Sequence, residues 1–269
     1  MMTTSNNILL IRVPCTSVSP TASNKLNNPT DATQSSITSI PPLPYYTVSS
    51  SYLSTLLDQT KSLFLDYRLA LLSHDVPIDL FQGFSQEIEA LPYKYIKELK
   101  GTILLAVIPL IEQENKEYDE ATKATNAPIV ISSDTTNTTS NSNNETSTST
   151  VPIVPPFTII IDKYSDKPIL VRTVGCIALK DIGGDVGEVK RLYILPPYRR
   201  YRIGYTLSLG IEYIAKYEYQ YKKLVLDTLK RLDGALPLYE RLGYQQCDAY
   251  VYNPMPDVVF LEKKIVIEP

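Results

Sequence analysis

Gly187 to Thr206 reads GEVKRLYILPPYRRYRIGYT: an apolar strand, a break at Pro196-Pro197, a basic turn and the opening of a helix. The helix is written in its spacing, since Ile203, Leu207, Ile211, Ile214 and Ala215 fall on one face. Arg199, Arg200 and Arg202 precede its mouth, and Gly204 stands just inside it. The first amides of a helix lack internal partners and carry the positive end of its dipole, so this stretch suits a pyrophosphate. The strand has a second peculiarity. Val186 and Val189 are out of parity with Leu192 and Ile194, so the apolar alternation changes phase around Lys190-Arg191. One extra residue, a β-bulge, does this and bends the strand from its neighbour. Backbone groups of Leu192, Tyr193 and Ile194 would then face a gap, free to pair with an extended, peptide-like ligand.

Arg199-Arg200-Tyr201-Arg202-Ile203-Gly204 resembles motif A of the GNAT superfamily of acyl-CoA N-acetyltransferases, Arg/Gln-x-x-Gly-x-Gly/Ala. Arg202 stands where the pattern has its first glycine. A side chain there either crowds the approach of backbone to a pyrophosphate or pairs its guanidinium with a phosphate. Other pieces match one branch of the family in order and spacing. They are Leu226-Asp-Thr-Leu229, Ala235, Leu238-Tyr-Glu-Arg-Leu-Gly-Tyr244, and Tyr252-Asn-Pro-Met-Pro256 through Phe260-Leu-Glu262. Toward the N-terminus, Leu63-Phe-Leu-Asp-Tyr67, Asp79 to Phe84 and Ala90 to Tyr95 resemble the helices of its substrate-side wall. The similarity covers about Tyr52–Ile111 and Val171–Ile265.

The resemblance implies an α/β fold: a mostly antiparallel mixed sheet splayed at its fourth strand, with helices on both faces. It implies acetyl-CoA as co-substrate, with the pantetheine arm along Leu192, Tyr193 and Ile194. Arg199, Arg200, Tyr201, Arg202, Ile203, Gly204, Tyr205 and Thr206 would face the pyrophosphate. The expected reaction is direct acetyl transfer to a primary amine in a ternary complex. No nucleophile with a suitable base stands in the cofactor region to form an acyl-enzyme.

Such a transfer makes three demands. The amine must lose a proton, because an ordinary ammonium of pKa about 10.4 is not nucleophilic. The carbonyl oxygen needs donors as it gains charge, and the departing thiolate gains from an acid. Tyr239, one helical turn after Ala235, matches the family's tyrosine acid. Glu188 matches the strand carboxylate that deprotonates the amine, often through water, and also reads as a partner for Lys190 or Arg191. The Ile194 amide is the candidate oxyanion donor. Asp227 reads as the polar end of a buried strand, with substrate orientation as the sharper alternative. Arg202 keeps a second function open: a non-catalytic acyl-CoA-binding or protein-interaction module.

Composition narrows the rest. The 269 residues carry a net charge of −3, without the basic excess of a dedicated nucleic-acid binder. Cys15, Cys176 and Cys247 are scattered and odd in number, which fits a reducing compartment better than a disulfide framework. Neither they nor His74, the single histidine, have metal-ligand spacing, so no metal is expected. His74 reads as a helix C-terminal cap and Cys176 and Cys247 as core. No segment is apolar for long enough to span a bilayer, and no basic residue precedes the short apolar run Ile8 to Ile11. The expected setting is cytoplasmic, with nuclear entry open. The expected partner is the amine acceptor, a small molecule or a protein.

Residues 1–13 hold the expected first strand, Ile8 to Val13, with Pro44–Val48 as its rival. Residues 14–48 read as a low-complexity insertion or linker, 49–111 as the N-terminal half of the domain and 156–269 as its C-terminal half. Between them, 112–155 reads as a disordered insertion, because 17 of the 19 residues from Ser132 to Thr150 are Ser, Thr or Asn. Within the halves, Leu53, Leu56, Leu57, Thr60, Phe64, Tyr67 and Leu71 mark a long helix, and Ser85 is the expected N-cap of a shorter one. Gly101 to Ile111, Pro156 to Ile161, Ile169 to Leu179 and Lys223 to Thr228 read as strands. Asp233 is the expected cap of the Ala235–Leu242 helix and Gly243 its left-handed stop. Tyr244 to Tyr252 and Val258 to Ile267 complete the sheet.

Overall fold

Strands apolar on both faces must lie between two layers, and the chain meets that requirement with one mixed sheet. The computed structural model describes residues 8–14, 45–110, 157–159 (backbone alone), 168–232 and 234–266. Its strands are β1 (Leu9–Arg12), β2 (Thr102–Pro109), β3 (Phe157–Ile159), β4 (Ile169–Asp181), β5 (Val186–Ile194), β6 (Lys223–Leu229), β7 (Gln245–Gln246) and β8 (Val258–Lys264). They are ordered β1-β2-β4-β5-β6-β8-β7, with β3 on β4. Among these described strands every ladder is antiparallel except that of β5 with β6.

The helices are α1 (Leu53–Leu72), α2 (Ile78–Gln82), α3 (Phe84–Glu89), α4 (Ile203–Tyr213) and α5 (Ala235–Arg241). In β2, Ile103, Leu105 and Val107 join Leu56, Leu63 and Phe64 of α1 and Phe84 of α3 in one core. Leu104 and Ala106 point the other way, to Leu207 and Ile211 of α4 and Leu242 at the end of α5. A period of two in the strand and about 3.6 in the helices builds both layers. Close contact fixes α4 on the sheet: a Cβ on Gly210 would lie 2.7 Å from Leu104 Cδ1. After Tyr213 the helix continues as one π turn, Ile214–Glu218.

The two candidates for the first strand lie side by side. Leu9–Arg12 pairs with β2, and Tyr46 bridges Ile11 in parallel, its N–H donating to Leu10 O at 2.7 Å. Gly183 and Gly184, at φ 84° and 63°, make the β4–β5 turn in a region that glycine enters without a Cβ clash.

Three boundary readings are corrected. Ser85 is not a cap: Gly83, at φ 58°, leads directly into α3, and Ser85 Oγ donates to Asp79 Oδ1 at 2.8 Å. Asp233 lies outside the described residues, and Gly234, at φ 84°, holds the cap position of α5. The strand expected from Tyr244 to Tyr252 pairs only at Gln245 and Gln246, because the chain then leaves the ladder and places Tyr250 and Asn253 beside the site. Gly243 does stop α5, at φ 87°. Among the described residues no helix is long and apolar enough to cross a membrane.

Candidate active site

The phase change in β5 is a bulge. Cys176 pairs with Tyr193 and Ala178 with Lys190, so β5 uses one residue more than β4 at that point. Arg191 takes the extra turn at φ 59°. The parallel ladder of β5 and β6 runs only through Val186↔Lys223, Gly187↔Leu224 and Glu188↔Val225. Beyond it lies a cavity of about 940 Å³, with Val189 to Ile194 along one side and Asp227 to Leu229 along the other. The α1 layer and α5 both reach this gap.

The backbone along the gap is open. Leu195 N–H donates to Val174 O at 3.0 Å, so the alternation of an antiparallel ladder turns the N–H and C=O of Ile194 away from β4. That carbonyl accepts from Arg199 Nε at 3.1 Å. At the far end, Thr206 N–H makes the first helical bond of α4, to Arg202 O at 3.0 Å. The amides of Ile203, Gly204 and Tyr205 precede that bond and form the helix mouth. Arg200 and Arg202 curl the approach to it at φ 69° and 61°. Arg202 therefore adopts the left-handed backbone that a glycine would supply, and its guanidinium lies over the Tyr205 ring at 5.6 Å.

The structure gathers most of the expected residues. Leu192, Tyr193 and Ile194 line the cavity on β5, and Arg199, Arg200, Arg202, Ile203, Gly204 and Tyr205 line it at the helix mouth. Tyr239 lines it from α5. Tyr201 (54% exposed), Thr206 and Glu188 are outside that lining. Tyr239 is 7% exposed, and burial, with Tyr67 and Asp227 adding to it, pushes its phenol pKa well up, so it holds its proton.

Glu188 is 1% exposed. Its Oε2 meets Lys180 at 2.6 Å, and its Oε1 meets Lys190 at 2.8 Å and the Tyr250 hydroxyl at 3.3 Å. Burial works to raise its pKa, but the two lysines outweigh it and hold the carboxyl below its usual range. Burial in turn lowers the Lys190 pKa against the pull of Glu188. Lys190 lines the cavity and Glu188 does not.

Sequence reasoning missed the residues that brace the site. Arg191 is 3% exposed, and its Nε and Nη2 meet the two oxygens of Glu87 at 2.7 and 2.8 Å. Glu87 also takes Lys94 at 2.5 Å and the Tyr95 hydroxyl at 2.7 Å. The guanidinium stacks 4.5 Å from the Phe84 ring centre. Burial would raise the Glu87 pKa, but Arg191 and Lys94 overcome it and bring the carboxyl to about 2. An arginine inside an apolar strand at the phase change was the available signal. Asn253, in the Tyr252–Pro256 stretch, donates to Asp227 Oδ2 at 2.7 Å. Gln82, which accepts from Arg191 Nη1 at 2.8 Å, left no signal in the sequence.

A mixed sheet splayed beside a helix mouth defines an acyl-CoA N-acyltransferase fold. The profile of the acetyltransferase (GNAT) domain matches residues 160–246. It is 36% identical over 91 residues to an uncharacterized N-acetyltransferase of Schizosaccharomyces pombe, covering 33% of this chain and 54% of that protein. An uncharacterized N-acetyltransferase of Dictyostelium discoideum is 40% identical over 79 residues, 29% of this chain and 36% of its own. The chain thus spans about half the length of the first relative and about a third of the second. Among solved structures, a GNAT-family acetyltransferase of Staphylococcus aureus superposes with a TM-score of 0.46 at 13% identity, over 81% of this chain and 96% of that one.

Proposed function

We propose that the protein is an N-acetyltransferase that moves an acetyl group from acetyl-CoA to a primary amine in a ternary complex. The observation that carries this reading is the gap between β5 and β6, opening beyond Glu188 and running into the mouth of α4. The fit to coenzyme A rests on that opening: Leu192–Ile194 flanks it, and the amides of residues 203–205 with Arg199, Arg200 and Arg202 suit a diphosphate. Bound acetyl-CoA supplies the thioester whose acyl group is transferred.

The chain's own groups meet the three demands of the chemistry. Ile194 N–H, turned from β4, is the proposed oxyanion donor. Tyr239 Oη holds the proton for the leaving sulfur. Glu188 is the proposed base, acting through Lys190, whose Nζ its Oε1 holds at 2.8 Å. Among the described residues Cys176 and Cys247 are free thiols, in accord with a reducing, cytoplasmic setting.

The test is calorimetric titration with acetyl-CoA, followed by a panel of amines with release of free thiol as readout. Binding and amine-dependent release are expected. Absence of heat on titration overturns the cofactor site, and binding without release leaves an acyl-CoA-binding module. Tyr239→Phe is expected to slow turnover about 100-fold or more at unchanged acetyl-CoA affinity. Unchanged turnover removes Tyr239 as the acid.

A further inference from the structure

We propose that Asp227, held by Asn253, is the dock for the acceptor's ammonium group, and that the acceptor is an alkyl-type primary amine that arrives as a cation. The inference rests on the transferase reading and names the acceptor class of the same site.

Position comes first. In β6, Leu224 and Leu226 pack into the core beneath α4, so Asp227 falls on the opposite face, toward α1, at the C-terminal side of the splay. There it lines the cavity with Tyr67, Lys190 and Tyr239. All three register its charge.

Its orientation is fixed from behind. Met255 N–H donates to Asn253 Oδ1 at 3.1 Å, which turns Asn253 Nδ2 to Asp227 Oδ2 at 2.7 Å. A neutral amide holds the carboxylate without cancelling its charge. Oδ1 accepts no hydrogen bond among the described residues.

Glu188 and Glu87 have no such spare oxygen, and Asp66, whose buried Oδ2 is unpartnered, lies outside the cavity lining. Glu188 is taken by Lys180, Lys190 and Tyr250, and Glu87 by Arg191, Lys94 and Tyr95. An alkylammonium presents three donors and full charge to Asp227 Oδ1, whereas an arylamine is neutral near pH 7 and gains little from it. Lys190 on the same wall favours proton loss from the docked amine, since a like charge nearby disfavours the charged form.

The experiment compares benzylamine, a cation at neutral pH, with aniline, which is not, in the wild type and Asp227→Asn. Wild type is expected to prefer benzylamine. Asp227→Asn is expected to raise the KM for benzylamine about tenfold or more while the aniline KM and acetyl-CoA affinity stay put. Equal losses on both amines, or no change on benzylamine, overturn the dock. Should wild type release no thiol with any amine, the transferase reading fails separately. Calorimetric titration of benzylamine into the coenzyme A complex then judges the dock alone. Heat present in wild type and lost in Asp227→Asn supports it, and heat absent in wild type or retained in the variant overturns it.

Discussion

Arg202 holds a backbone that suits glycine, at φ 61° and ψ 13°. A side chain in that region costs about 1–2 kcal/mol. Arg202→Gly is therefore expected to raise stability by about 1 kcal/mol in urea titration. The same change removes a cation from the helix mouth, so acetyl-CoA affinity is expected to fall a few-fold and to depend less on salt. A tighter complex would show that the side chain obstructs. The glycines nearby separate by the same reasoning. A Cβ on Gly204 meets Leu238 Cδ2 at 3.5 Å and Leu192 at 3.9 Å, ordinary contacts, so Gly204→Ala should leave stability and cofactor affinity nearly unchanged. On Gly175 it would meet Ile194 Cδ1 at 2.6 Å and Tyr193 O at 2.8 Å. Gly175→Ala must displace β5 at the gap, at a cost of about 1–3 kcal/mol by denaturant titration, with weakened acetyl-CoA binding.

Among the elements, the bulge of β5 and the start of α3 form one unit through Arg191 and Glu87. Both groups are buried and each satisfies the other, so removing one leaves a charge without its partner. Arg191→Met is expected to cost about 3–5 kcal/mol, and adding Glu87→Gln should recover part of the loss. A double-mutant cycle read by urea midpoints checks this, and strictly additive losses would dissolve the unit. The pair also sets an acid dependence. The Glu87 pKa is about 2 in the fold against an ordinary 4.5, so its contribution is complete above about 4.5 and disappears as pH falls toward 2. Stability measured over that window should fall less steeply in Glu87→Gln than in the wild type.

At the scale of the whole molecule, β2 and β4 pair directly from Thr102↔Leu179 to Pro109↔Val171, although residues 110–168 separate them in the chain. The sheet at this point is closed by its own ladder. Deleting residues 121–150 shortens the connection roughly twofold and lowers its closure cost by about 0.6 kcal/mol. The shortened protein is expected to keep its melting temperature or gain a few degrees, and to keep its acetyl-CoA affinity. Loss of folding would place an essential contact in the deleted stretch. Periodicity and phase, both local properties, made α1, α4, the central strands and the β5 bulge legible in the amino-acid order. The helix-mouth residues were marked by the basic turn before the α4 face, and Tyr239 only by the family resemblance. The partners were not legible: Arg191 meets Glu87 across 104 positions, and Asp227 meets Asn253 across 26. Nor did the alternation near Tyr244 reveal where β7 would leave the ladder. Sequence alone determined the central strands, the bulge and the helix mouth, because those depend on neighbours a few positions away. Only the tertiary structure decided which carboxylate is spent on a buried arginine, which on lysines, and which keeps an oxygen free, because that depends on what packing brings together.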